Sequence, residues 1–260
     1  MAGCAMMMSG CQCSDNGSTG SAAIDRQSIE TNVREFVYPL PTAFEVTEML
    51  NRIEAAYIQG ICNDPQNIDQ YLTESQKALN LGVYSADMSY ASTYNQHQSV
   101  VDFMNVSRKL IDGLDMTAAI DPELPEKVER FENNKDELIK LISESFYDSY
   151  DYLNKNDRGP ISMLVVAGSW IEGLYITTHI SDDTFNNKEM VKIVMSQKEP
   201  LTKLMELLGR YAHVDYIESL QAELQPIFDI YSQVDEGSIT ENQLESIKKC
   251  IDAVRSKIIE

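Results

Sequence analysis

A chain of 260 residues with 41 acidic against 21 basic side chains has a formal net charge of −20, a field that repels phosphate backbones and anionic headgroups and so argues against nucleic acid as a partner. At 43% hydrophobic and 24% charged residues, with 12 glycines and 8 prolines, the composition is that of a globular domain with a real interior, not of a disordered or fibrous chain. The acidity reads as a solvated surface and calls for no cofactor.

The N-terminus is the first informative stretch. Of five cysteines, Cys4, Cys11 and Cys13 crowd into it, and Cys62 and Cys250 stand alone. An odd count at irregular spacing is a poor disulfide framework, and Cys-x-Cys supplies two thiolates where a structural zinc needs four ligands. Cys62 and Cys250 read as small buried hydrophobes. Within "MMMSGCQCS" (6–14), Ser9-Gly10-Cys11 gives a small-small-Cys order similar to the lipobox of bacterial lipoproteins, in which the peptidase cuts ahead of a lipid-bearing cysteine. No Lys or Arg precedes Cys11 and the apolar run is a stub, so the expected signal peptide has its true start upstream of Met1. Residues 1–10 are then its remnant, Cys11 is the lipid attachment site with Cys4 as second choice, 11–35 is a flexible polar tether, and 36–260 is one helical domain. Such a tether has a root-mean-square reach of roughly 25 to 33 Å.

From Pro41 onward the apolar period is helical. "PTAFEVTEMLNRIEAAYI" opens on Pro41 and Thr42 and sets Phe44, Met49, Leu50, Ile53 and Tyr57 on one face. Similar stripes predict helices over 65–80, 83–94, 97–114, 123–131, 134–154, 160–180, 187–208, 211–233 and 240–259. Turn chemistry separates several of them, as in "NDPQN" at 63–67, "DPELP" at 121–125 and "NDRGP" at 156–160. No run alternates with period two for long enough to make a strand. The expected fold is all-α, a bundle of eight to ten helices joined by short loops.

Two segments look alike. "GVYSADMSYASTY" from Gly82 and "GSWIEGLYITTH" from Gly168 each place an aromatic two residues on (Tyr84, Trp170), then an acid (Asp87, Glu172), a tyrosine three further (Tyr90, Tyr175) and a ring four further (Tyr94, His179). The pattern suggests duplicated helical hairpins. "MLVVAGSWIEGLYI" (163–176) is apolar all round except for Ser169 and Glu172, as in a central buried helix. Two internal glycines and a carboxylate argue against a membrane span. A carboxylate at Glu172, and more mildly at Asp87, must then be paired, hydrogen-bonded or protonated, with tyrosine hydroxyls or an arginine as the natural partners. One expectation is a structural network that fixes helix packing. The other is a pocket of Tyr84, Tyr90, Trp170 and Tyr175 around the two acids, suited to a cationic or sugar-like ligand.

"KALNLGVYSADMSYASTY" (77–94) and "LVVAGSWIEGLYITT" (164–178), with "FVYPLPTAFEV" ahead of them and "RFENNKDEL" between, resemble an uncharacterised family of helical lipoproteins from Bacteroidetes bacteria over roughly residues 36–232. The resemblance implies an all-helical protein anchored in the cell envelope, at the outer membrane, and brings no catalytic residues with it.

Enzyme signatures are otherwise missing from the sequence. His97, His179 and His213 belong to no H-E-x-x-H pair, and there is no G-x-S-x-G elbow or P-loop. "GSWIEGL" is faintly similar to the Gly-x-His-x-x-Glu signature of imelysin-like periplasmic proteins, but no His falls in the required place. "VDEGSITENQLESI" (234–247) has the glycine of an EF-hand loop, yet Ser232, Val234 and Gln243 occupy positions that need carboxylates, so neither calcium nor another metal is expected. A capping box, Ser238 with Glu241 or Thr240 with Gln243, explains the stretch better. Two functional classes follow. One is a non-catalytic envelope lipoprotein, held to the membrane by its N-terminal lipid, that binds an envelope protein or small ligand. The other is an enzyme with Glu172 or Asp87 as general base.

Overall fold

The computed structural model describes residues 56–181, 184–234 and 238–260. Cys4, Cys11, Cys13, the tether and most of the helix expected from Pro41 lie outside them. The described residues fold as nine α-helices and two short 3-10 turns with no sheet, the all-α bundle expected. In order these are α1 (Glu74–Thr93), α2 (His97–Gly113), α3 (Leu124–Arg130), α4 (Lys135–Lys155), α5 (Gly159–His179), α6 (Lys188–Ser196), α7 (Lys198–Gly209), α8 (Asp215–Ser232) and α9 (Glu241–Ile259). The 3-10 turns are Pro65–Gln70 and Thr117–Ala119.

Local chemistry sets the boundaries. Thr73 and Gln76 form a capping box at the start of α1, with the Thr73 hydroxyl accepting from the Gln76 N–H at 3.2 Å and the Gln76 side-chain carbonyl accepting from the Thr73 N–H at 3.0 Å. Asn95, Asp115 and Asp157 take left-handed conformations at φ 53°, 55° and 60° just past the ends of α1, α2 and α4. Behind each, the next amide turns back to the last helical turn, Gln96 to the Ala91 carbonyl, Met116 to Ile111 and Arg158 to Leu153, all at 2.9 Å. One Schellman device therefore stops three helices, with Asn and Asp in the place glycine usually takes.

Two expected spans come out differently. The spans expected over 65–80 and 83–94 become a 3-10 turn at 65–70 and one helix, α1, that runs through Gly82, because Gly82 is the point where another helix lies against α1 and not a break. The single stripe over 187–208 divides at Gln197 into α6 and α7. Pro200 has no N–H to give the Ser196 carbonyl, so a continuous helix there would lose a bond and meet the proline ring.

At the start of α9 the Thr240–Gln243 pair forms the capping box, with reciprocal bonds of 3.2 and 2.9 Å. Thr240→Ala is expected to cost about 1 kcal/mol, read as a fall in Tm of about 2–4 °C, while Ser238→Ala leaves Tm unchanged.

The core is built around α5, where Met163, Leu164, Val165, Val166 and Ile171 are wholly buried. Along its length α5 packs on α1, with α4, α6, α7 and α9 on its other sides, while α2 and α4 cover α1 and α8 bridges α7 and α9. By length and apolarity α5 would pass for a membrane span, but 83% of its apolar window is buried inside the protein, as befits a central core helix.

Candidate functional site

The two like segments lie against each other. A Cβ on Gly82 would stand 2.1 Å from the Val165 carbonyl oxygen and 2.6 Å from the Ser169 nitrogen; one on Gly168 would stand 2.0 Å from the Leu79 oxygen. Only hydrogen fits at either position, so α1 and α5 run side by side with their backbones in contact. The helices point the same way, since Gly82 meets 165–169 and, further on, Tyr90 packs with Ile176 and Ile180. That parallel register brings Asp87 and Glu172, each just over one turn beyond its glycine, to the same place in the interior.

Both acids are fully buried, at 0% exposure. Glu172 is held by both oxygens: Arg255 of α9 donates from Nε to Oε2 at 2.6 Å and from Nη2 to Oε1 at 2.7 Å. This is the bidentate fork that suits a guanidinium to a carboxylate. Arg255 Nη2 also donates to the Ile61 carbonyl at 3.0 Å, and its Cζ sits 3.9 Å from the centre of the Tyr175 ring. Burial opposes the charge on Arg255, but the bonds and charge of Glu172, with Asp87 behind, outweigh it and keep the guanidinium protonated.

Asp87 is placed differently. Its Oδ2 accepts the Asn63 N–H at 3.0 Å, while its buried Oδ1 has no N–H or O–H donor. The Glu172 carboxyl and the Cys62 thiol are its neighbours in the cluster. Burial first, and the Glu172 charge next, raise the Asp87 value well above the ordinary aspartate range; Arg255 and the Asn63 amide offset this only in part. Burial and the neighbouring acids likewise push the Cys62 thiol far up, which leaves it a protonated, unreactive group.

A polar network backs the cluster. Asn63 Nδ2 donates to the Tyr71 hydroxyl at 2.9 Å and to Asn80 Oδ1 at 3.2 Å, and Asn80 Nδ2 reaches the Ile258 carbonyl at 2.8 Å. On the outer side Tyr175 stacks on His179 at 4.2 Å, and His179 Nε2 meets Asp252 Oδ1 at 2.9 Å. Burial lowers the His179 value, and the upward pull of the Tyr175 carbonyl and Asp252 does not overcome it.

The sequence-predicted pocket residues therefore separate. Asp87, Glu172 and Tyr175 meet around Arg255. Tyr84 is wholly buried nearby, packed with Tyr71 and Phe103, and donates to the Asp64 carbonyl at 2.8 Å. Tyr90 lies a turn further along α1, stacked on Tyr57 at 5.3 Å. Trp170 is two residues from Glu172, hence on the opposite face of α5, and is buried in the main core.

Arg255, Asn63 and Cys62 complete the cluster, and none of the three stands out in the sequence as a site residue. Arg255 leaves a signal nonetheless: it falls on the ridge of Ile247, Ile251 and Ile258, a cation on an otherwise apolar stripe. Apart from this cluster, a cavity of about 30 Å³ lies between α1, α2 and α4, lined by Met88, Met104, Phe146 and the unpartnered Ser107 hydroxyl. It has room for about two waters. Among the described residues no three His, Cys, Asp or Glu side chains are disposed to hold a metal ion. Compared with protein-family models, curated proteins and solved structures, the chain finds no match.

Proposed function

We propose that this protein is an envelope lipoprotein, held at the outer membrane through a lipid on Cys11, whose helical body is a non-catalytic module that binds an envelope protein or a small ligand. The observation that carries the non-catalytic part is the closed packing of the two acids. A general base needs a lone pair that reaches the proton it removes. Glu172 has both oxygens engaged by Arg255, and neither acid has exposed surface. An enzyme built on Asp87 or Glu172 would first have to break that packing, so the binding-module reading is the stronger of the two. The anchor rests on the Ser9-Gly10-Cys11 order and the polar stretch that follows it.

The test of the anchor is metabolic labelling. With a complete signal sequence ahead of Ser9 and a palmitate analogue in the medium, the wild-type chain takes up label in the membrane fraction and Cys11→Ala does not. Equal labelling of the variant would overturn the assignment. For the body, Glu172→Gln and Asp87→Asn are expected to lower Tm. A ligand that stabilises wild type but neither variant would restore the pocket reading.

A further inference from the structure

Asp87, Glu172 and Arg255 are exposed by 0%, 0% and 7%. Two carboxylates against one guanidinium leave a net negative charge in a fully buried site, and a single proton on one carboxyl removes it. Placed on Asp87, whose Oδ1 has no hydrogen-bond partner, that proton also spares the interior an unsatisfied charged oxygen.

What covers the cluster is the irregular segment 57–64. Five hydrogen bonds tie it to the helices; in one, Asn63 Nδ2 donates to Asn80 Oδ1 at 3.2 Å. The Ile58 N–H donates to the Tyr90 hydroxyl at 3.1 Å, and the Ile61 carbonyl accepts from Arg255 at 3.0 Å. The Asn63 N–H donates to Asp87 at 3.0 Å, and the Asp64 carbonyl accepts from Tyr84 at 2.8 Å. Two of the five end on the charged cluster itself. The same segment carries the Cys62 thiol that faces Asp87.

We propose that a proton held on the Asp87 carboxyl latches the 57–64 segment onto the helical body, and that its loss as the pH rises releases the segment. With both acids ionised, the uncompensated charge is relieved most cheaply by admitting water, and the helices cannot part at the Gly82–Gly168 contact without losing the core. The segment has only these five bonds, the Asn63–Tyr71 bond and a few side chains to give up. The groups that face Asp87 are Glu172 from α5, Arg255 from α9, Cys62 and Asn63 from the segment, Tyr84 from its own helix and Tyr71 ahead of that helix, with Tyr57 and Tyr175 beyond. The folded value of Asp87 lies above its unfolded value. Its contribution is thus complete below the ordinary aspartate range and disappears as the pH rises through the raised value. His179, whose value is lowered, acts with the opposite sign and weakens the fold only as the pH falls.

Amide hydrogen exchange of the full chain, corrected for intrinsic exchange and followed between about pH 5 and pH 9, reads the latch directly. Opening of 57–64 is expected to grow with pH, approaching about tenfold per pH unit above the Asp87 value, while amides in α5 stay flat. Asp87→Asn, which keeps the geometry of the protonated acid, abolishes the slope. Glu172→Gln, which leaves Asp87 to balance Arg255 alone, abolishes it by a second route. A wild-type segment whose protection does not change with pH would overturn the proposal, as would an unchanged slope in either folded variant.

Discussion

Arg255→Met is expected to lower folding stability by about 3–5 kcal/mol, because it strands the Glu172 carboxylate in the interior beside a second acid. For a chain of this size that is a fall in Tm of roughly 6–20 °C, at about 2–4 °C per kcal/mol. Glu172→Leu alone is also harmful but less so, since it takes the bidentate partner from the guanidinium and leaves Asp87 to balance its charge. The double variant Glu172→Leu with Arg255→Met recovers most of the loss, because removing both charges removes the desolvation penalty along with the attraction. Thermal or urea unfolding of the three variants measures the coupling. Additive losses would mean that the pair is not the closed, buried contact that the distances give.

The second large effect is at the helix contact, and there the sign of the change is the test. Gly168→Ala puts a methyl group 2.0 Å from the Leu79 carbonyl oxygen, and Gly82→Ala puts one 2.1 Å from that of Val165. The atoms met are backbone and cannot rotate away. Each substitution is expected to cost about 1–3 kcal/mol or more as α1 and α5 are forced apart. Gly173 lies on the same helix, five residues past Gly168, with nothing within 4 Å of the place a methyl group would take. Gly173→Ala therefore gains helix propensity without a clash and stabilises by about 0.5–1 kcal/mol. Chemical denaturation of the three alanine variants separates the two cases, and equal effects at Gly168 and Gly173 would contradict the close approach.

Much of this arrangement is legible in the sequence because it rests on short-range pattern. The all-round apolarity of 163–176 marks the central helix, and the matching run of glycine, aromatic, acid and tyrosine marks the partner that lies beside it. What pattern does not show is that Gly82 and Gly168 face each other. Their meaning is a tertiary close approach, and taken locally a glycine in a helical stripe reads as a break, which divides α1 where the chain in fact runs on. The aromatic pocket fails to assemble for a geometric reason. Trp170 stands two residues from Glu172, and on a 3.6-residue helix such neighbours point apart. Arg255 and Asn63 are hidden by sequence distance, 83 residues from Glu172 and 24 from Asp87 respectively. The burial of Glu172 demands a partner of their kind without saying where in the chain it will be found.

Carbon-13 carboxyl spectroscopy of Asp87 across a pH titration tests the closed acid cluster most directly. Asp87 is expected to keep the signal of a neutral acid well above the ordinary aspartate value of about 3.9. A simple, independent titration of Asp87 near that ordinary value would show a solvated carboxylate in an open cleft, and would contradict the closed cluster.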